Sequence, residues 1–295
     1  MLVRLDLERF LIQKDLPLIV LRSDLNDSYE EHSHDFEELV IILEGTGIQT
    51  INGRAFALHP GMVFLVKDDD RHAFSDCQGL VLYNVLSYKD QLHCWLADLR
   101  PLPGYQYLFL VEPRFLGQET ERPFLTLDQG ELVQARRLLE TMDGEQRYQE
   151  GGFGLVLLGL FFQLAAIVVR SYQQRANSSS GKLNRIAAAL AKMQEKLDQP
   201  LSIETLAQEC NLSVRQFLRI FSQIQGMSPV EWRTHLRVER AGILLARTDE
   251  SITEIASRVG CPDPNYFSRL FRKVVGTSPR EYRRKARNNG QGRER

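Results

Sequence analysis

Ile252-Thr-Glu-Ile-Ala256, Arg269-Leu270-Phe271, Gly276 and Ser278-Pro279-Arg-Glu-Tyr282 form the second copy of a pattern already written once upstream. The first copy is Ile203-Glu-Thr-Leu206-Ala207, Arg219-Ile220-Phe221, Gly226 and Ser228-Pro229-Val-Glu-Trp232. The offset is 49 residues at the first landmarks and 50 at the later ones, so the second copy carries one extra residue in its turn. A repeat of this size is one supersecondary element. Each copy reads as helix, tight turn, helix, the geometry that lays a second helix in the DNA major groove.

The punctuation agrees. Ser202, Ser213, Ser251 and Asp263 sit where helix N-caps are needed, and Ser228-Pro229 and Ser278-Pro279 each give a cap followed by proline at the first helical position. Gly226 and Gly276 fall where a C-cap takes positive φ. Residues 230–247 hold no breaker but Gly242 and are expected to join the two units as one helix.

Within residues 214–225 the apolar positions Phe217, Ile220, Phe221 and Ile224 make one buried face, which leaves Arg215, Gln216 and Arg219 outward near the helix start. In the second unit Tyr266, Phe267, Leu270 and Phe271 are the expected core set, leaving Asp263, Asn265, Ser268 and Arg269 outward, with Arg272 and Lys273 farther along. Arg suits a guanine edge, Gln and Asn an adenine edge, and Asp the cytosine amino group. Asp263 equally suits a helix cap, and Arg272 and Lys273 suit phosphates, which position a protein without reading sequence.

Charge follows the repeat. Residues 201–295 hold 17 Lys and Arg against 10 Asp and Glu, a net of +7, whereas residues 1–200 hold 20 against 28, a net of −8. Only one end is suited to a polyanion. The chain's 295 residues allow about two domains. The polar stretch 177–181 (Asn-Ser-Ser-Ser-Gly) is the natural linker between residues 1–176 and 182–295.

Residues 18–112 change register. Short β-type runs at 18–22, 38–43, 47–51, 62–66 and 80–86 alternate with turns, and Asn52-Gly53 is a strong hairpin signal. From about residue 127 the period becomes helical, with Leu132, Ala135, Leu138, Leu139 and Met142 on one face. The run 153–169 has one polar residue, Gln163, and reads as a buried or dimer-core helix rather than a membrane span. The charged N-terminus does not read as a secretory signal. Cys77, Cys94, Cys210 and Cys261 lack metal-finger spacing and are expected as free buried thiols in a reducing cytoplasm.

His32, His34 and Glu38 stand at the start of a strand, with His72 at hairpin distance. On a small barrel the four side chains converge. Three chemistries fit them: a catalytic metal site, a bound divalent metal assisting ligand recognition, or a metal-free polar pocket for hydroxyls.

Residues 182–287 resemble the DNA-binding domain of the AraC/XylS family of bacterial transcription regulators. The resemblance is carried by Ile252-Thr-Glu-Ile-Ala256, Val259-Gly260-Cys261-Pro262-Asp263, Asn265-Tyr-Phe267, Arg269-Leu-Phe-Arg-Lys273, Gly276 and Ser278-Pro279. It implies two helix-turn-helix units joined by a long helix, with base readers at Arg215, Arg219, Asp263 and Asn265. His32-x-His34-x3-Glu38 resembles the cupin motif, and the N-terminal half looks like the family's cupin-type effector domain. The stretch 34–47, with Asn52-Gly53 and Asp70-Arg71-His72, looks similar to the family's rhamnose-responsive members.

The expected architecture is therefore α+β: an N-terminal cupin-like β-barrel with a helical dimerisation segment, then an all-α domain with two helix-turn-helix units. The expected function is a non-enzymatic, cytoplasmic transcription regulator, acting as an activator in carbohydrate metabolism. Its expected partners are promoter DNA, a sugar such as L-rhamnose, RNA polymerase and a second copy of itself, with no membrane. A metal-dependent cupin enzyme fused to a DNA-binding domain, and a ligand-independent regulator whose barrel only dimerises, are the alternatives.

Overall fold

The computed structural model describes residues 3–12, 16–115, 125–178 and 181–291. Eight strands among them form one mixed sheet: β1 (Val3–Leu5), β2 (Leu18–Leu25), β3 (Tyr29–His34), β4 (Glu37–Ile51), β5 (Arg54–Leu58), β6 (Met62–Val66), β7 (His72–Ser87) and β8 (Leu125–Thr126). The long strands β4 and β7 pair antiparallel, and each divides its other edge between two partners. β7 takes β3 near its start and β2 along residues 80–87, while β4 takes β6 along 38–41 and β5 along 47–51. Both halves feed one core, with Val40 and Ile42 from one end of β4 and Ile51 from the other, packed with Phe56, Phe64 and Leu82. The sheet thus folds over on itself as a barrel-like roll.

The runs at 38–43 and 47–51, read as separate strands in the sequence, are one strand. Gly45 (φ +75) lies so close to β7 that a Cβ there would sit 2.1 Å from the Gly79 carbonyl oxygen. Register shifts follow at Ile42/Glu44, Glu44/Thr46 and Thr46/Ile48. This bulge bends the strand instead of ending it. Asn52 (φ 51) and Gly53 (φ 76) then make the tight β4–β5 hairpin their type demands.

Glu37 to Leu43 is buried throughout, which explains a nearly unbroken apolar run where a one-faced strand would alternate. Helices follow: α1 (Lys89–Trp95), α2 (Pro103–Tyr105), a π-helical segment (Gln106–Val111), α3 (Glu112–Phe115), α4 (Gln129–Tyr148) and α5 (Phe153–Ser178). Asp128 and Glu131 form a capping box at the start of α4, which buries Ala135, Leu139 and Met142 and packs on α5. Residues Phe153–Gln174 are long and apolar enough to cross a membrane by length and composition. In this fold Leu157, Phe161, Leu164 and Val168 are inside, whereas Leu155 is 79% and Phe162 40% exposed.

The chain divides into units Met1–Ala188 and Ala189–Arg295, the division falling within α6 (Lys182–Glu195). The polar stretch 177–181 straddles the end of α5, and its residues 179–180 lie outside the described residues. The second unit continues with α7 (Ile203–Glu209), α8 (Val214–Gln225), α9 (Pro229–Arg247), α10 (Ile252–Arg258), α11 (Pro264–Val275) and α12 (Pro279–Gln291). The expected caps are in place: Ser202, Ser213, Ser228, Ser251 and Asp263 each accept a backbone N–H from the following turn, and Gly226 and Gly276 are left-handed.

The repeat extends to side-chain packing. Phe217–Phe221 and Phe267–Phe271 rings lie 5.9 and 5.8 Å apart, and Phe221–Trp232 and Phe271–Tyr282 meet edge-on at 5.5 and 5.4 Å. Two sequence expectations fail here. Tyr266, assigned to the core, is 51% exposed, because the turn of α11 that buries Phe267 and Phe271 carries their neighbour outward. Cys94 is an exposed thiol on α1, while Cys77, Cys210 and Cys261 are buried as expected.

Candidate effector cavity and nucleic-acid interface

Strand parity builds the cavity. On β4 the residues 38, 40 and 42 point the same way, and Val40 and Ile42 belong to the barrel core, so Glu38 points inward at its end. His34 on β3 and His72 on β7 meet it there. His34 Nε2 is 3.2 Å and His72 Nε2 3.6 Å from Glu38 Oε2, and the three ligand-capable atoms all lie within 4.8 Å of one another. His32 stands beside this trio, with its ring centroid 4.1 Å from that of His72 and its Nδ1 3.0 Å from the Glu30 carbonyl. The four residues singled out in the sequence do converge, with His32 adjacent to the cluster of three.

Each member is held from behind. The His34 ring stacks on Phe36 at 4.1 Å, and its Nδ1–H donates to the Phe36 carbonyl at 2.7 Å. His72 Nδ1 lies 3.2 Å from Gln49 Nε2. Burial pushes the His72 imidazole down to about 4, against the pull of Glu38, so it is neutral near pH 7. Burial also pushes Glu38 upward, but His34 and then His72 outweigh it and leave the carboxyl below its ordinary range.

A cavity of about 130 Å³ opens beside the trio. Its polar lining is Ser23, Tyr29, His32, Glu38, His72 and Asn84, set among apolar side chains such as Phe36, Phe74 and Leu86. The N-terminal segment closes one wall: β1 pairs parallel with β3, and Leu5 and Phe10 reach the cavity. Asp35 ties this segment down, accepting from Leu7 N at 2.9 Å and donating its own N–H to the Leu5 carbonyl at 3.2 Å.

Sequence reasoning missed Gln49 and Asn84. Asn84 had a signal, being the one polar residue within Leu80-Val-Leu-Tyr-Asn-Val-Leu86; its Oδ1 is buried without a hydrogen-bond partner. Gln49 had none. Inward positions on β4 are even before the bulge and odd after it, as Ile51 shows, and only the bulge brings Gln49 behind His72.

In the second unit, α8 presents Arg215, Gln216 and Arg219 to solvent, and α11 presents Asn265, Arg269, Arg272 and Lys273, with Ser268 half-buried and Asp263 exposed at the helix start. Two of them cap their helices. Gln216 Oε1 accepts from Ser213 N at 3.0 Å, completing a capping box, and Asp263 Oδ1 accepts from Asn265 N at 2.9 Å and Tyr266 N at 3.2 Å. Tyr266, exposed among these residues, occupies in α11 the place that Gln216 holds in α8.

Comparisons with known proteins match both units. An AraC-like ligand binding domain covers residues 19–151, and a helix-turn-helix domain covers residues 206–285. The chain is 32% identical over 260 residues to the HTH-type transcriptional activator RhaS of Enterobacter sp. (strain 638), spanning 87% of this chain and 88% of that protein. It is 26% identical over 282 residues to the HTH-type transcriptional activator RhaR of Mannheimia succiniciproducens, spanning 96% and 97%. A solved structure, the DNA-binding domain of AdpA in complex with a target DNA, is 34% identical, with a TM-score of 0.34 over 36% of this chain and 95% of that one. With a ligand-binding fold at one end, paired helix-turn-helix units at the other and such relatives along most of its length, the chain belongs to the AraC family of transcription regulators.

Proposed function

We propose that this chain is a sugar-responsive transcription activator: a small polyhydroxylated ligand enters the cavity and changes how tightly α8 and α11 hold a promoter. The cavity carries the reading. It combines apolar walls with buried groups able to bond hydroxyls, namely His32, Glu38, His72 and the unpartnered Oδ1 of Asn84. Such a site rejects apolar molecules of the same size, because they would leave these groups unsatisfied.

L-rhamnose is the first ligand to test, supported by the similarity of residues 34–72 to rhamnose-responsive regulators and by relatives named RhaS and RhaR. Arg215 and Arg219 from α8, and Asn265 and Arg269 from α11, read bases, with Gln216, Asp263 and Ser268 beside them and Arg272 and Lys273 on phosphates. The protein acts in the cytoplasm without catalysing a reaction, pairs with a second copy through the helical segment 127–175, and contacts RNA polymerase at the promoter.

A ligand shifts such an equilibrium only by its differential affinity for the two states. Gel-shift titration of promoter DNA at fixed salt, with and without L-rhamnose and a panel of other sugars, tests the reading. A several-fold change in affinity with one sugar is the expected result. Identical affinity and identical transcription with every sugar overturn it.

A further inference from the structure

The two helix-turn-helix units are copies, so a residue that breaks the copy needs a reason. At the turn of the first unit stands Asn211, exposed and at positive φ (54°). Forty-nine residues on, the same left-handed place is held by Gly260 (φ +79°). Asparagine tolerates this backbone well, so conformation alone does not demand the change. Space does. A Cβ on Gly260 would sit 2.7 Å from the Asp198 Cα, 2.7 Å from the Leu197 carbonyl oxygen and 2.8 Å from Arg237 Nη2. The segment 196–199, which joins α6 to α7, therefore lies against the turn of the second unit.

Two arginines of α9 hold that segment, and the repeat tells them apart. Arg233 donates to the Lys196 carbonyl at 3.0 Å, to that of Leu197 at 3.2 Å and to that of Gln199. Its counterpart fifty residues later, Arg283, donates to the Glu250 carbonyl, so each fastens the chain that enters its own unit. Arg237 acts across the units. It is half-buried, and its Nε donates to the Leu197 carbonyl at 2.9 Å. Its Nη2 lies against Gly260, and the side chain bonds the sulfur of the buried Cys261 next door. One planar fork thus joins α9, the end of α6 and the turn of the second unit.

α9 by itself is a loose way to place that unit. Its 19 residues span about 28 Å, and a bend of about 10° would carry its far end about 5 Å. That exceeds one base-pair step of about 3.4 Å. A second tie, away from the helix axis, removes the freedom.

We propose that Arg237 is a positioning residue: it clasps the turn of the second helix-turn-helix unit to Leu197 and Asp198, and so fixes the spacing at which α8 and α11 read bases. Its consequence for DNA rests on the base-reading roles proposed above. The clasp also explains the glycine at 260, because it sets backbone against backbone and a side chain there would wedge it open. A lysine at 237 keeps the charge but not the fork, and makes one of the contacts at a time.

Full-length chain and a DNA site obtained by in vitro selection test the clasp, with one base pair added or removed between the segments read by α8 and α11. The wild type should lose about tenfold or more in affinity at either altered spacing. In Arg237→Met that penalty should shrink to about threefold at most, with affinity for a duplex carrying only the α8 segment unchanged. Arg237→Lys should fall between. Gly260→Ala opens the clasp from the other side and should relax the spacing likewise. Gly276→Ala, also at positive φ but with nothing within 4 Å of its Cβ, should keep the wild-type preference. Melting curves report whether each variant is folded, and Arg237→Lys and Gly260→Ala keep the test decisive if Arg237→Met is not.

Equal spacing penalties in the wild type and the three clasp variants overturn the proposal. So does a loss of affinity that is the same at every spacing, which marks a plain phosphate contact or a structural arginine. If the wild type itself ignores the spacing, base reading by both helices fails, and the role of the clasp falls with it.

Discussion

At Asp263 one carboxylate has an observed capping duty and a proposed reading duty, and the two separate experimentally. Its Oδ1 caps α11 through Asn265 N and Tyr266 N, while the side chain stays exposed beside the residues proposed to read bases. Asp263→Ser keeps a cap and removes the acceptor suited to cytosine, whereas Asp263→Ala removes both. Thermal melting should therefore fall only for the Ala variant, by about 1 kcal/mol, while binding-site selection should relax for both. Unchanged selection in Asp263→Ser assigns the residue to capping alone. Arg219→Ala should cost about 1–3 kcal/mol of binding at one base position, and Arg272→Ala should weaken all sequences alike and flatten the salt dependence, both measured by gel shift across salt. The outward placement of the arginines follows from helical period, so it was legible in the sequence. That of Tyr266 was not, because an aromatic next to Phe267 fits the buried stripe by type, and only the packing of Phe267 and Phe271 decides which of the neighbours turns inward. His93 gives a pH prediction. Burial first, and then Arg100 and Lys89, push it down to about 4, from an unfolded value near 6.5. The folded chain thus binds fewer protons than the unfolded one between those values. The contribution of His93 to stability is whole above about pH 6.5 and is lost as pH falls toward 4. Melting curves of the wild type and His93→Gln should diverge in that window and run parallel above it.

The elements differ in how openly the sequence declares them. The helices of the second unit announce both ends, because Ser and Asp caps, the capping-box partners Gln216, Glu231 and Glu254, and the left-handed Gly226 and Gly276 act within one turn of chain. The strands do not. β3 carries five polar or charged residues in a row from Glu30 to His34, and its pairing with β7 depends on a partner about forty residues away. The continuity of β4 depends on Gly45 lying against Gly79, a contact with no local trace. That contact sets the parity that places Gln49 and Ile51 inside, so the cavity is an outcome of the bulge. Gly45→Ala combines a positive φ with a Cβ placed against backbone, and should destabilise the N-terminal unit by about 1–3 kcal/mol. Gly53→Ala also sits at positive φ but meets nothing within 4 Å, and should cost less. Chemical unfolding of the two variants side by side checks the order; equal costs would mean that the Gly45–Gly79 approach relaxes without effect.

At the scale of the whole molecule, the charge division and the exposed apolar face of α5 belong together. In the proposed reading the basic end would supply phosphate contacts, one pair of short helices would cover a limited site, and a second copy of the chain would double it. For the proposed pairing, α5 offers the face on which a second copy would dock. Leu155, Gly159 and Phe162 fall at i, i+4 and i+7 on α5, all exposed, on a helix whose opposite face is fully buried. Val133 on the neighbouring α4 is 63% exposed as well. Large apolar side chains aligned at helical spacing on a surface are costly unless another surface covers them. The glycine in mid-stripe lets two backbones approach closely. A charge there should separate the copies without disturbing either unit's core, since neither Leu155 nor Phe162 is buried in the chain itself. Leu155→Glu with Phe162→Glu is therefore expected to give a monomer by sedimentation at micromolar concentration, with a wild-type melting temperature. Binding to a single half-site should be unchanged, while binding to a paired site should fall by the effective concentration that tethering supplied, about 100-fold or more. A wild-type chain that is already monomeric at that concentration would remove the interface, and would leave α5 an apolar surface awaiting a different partner.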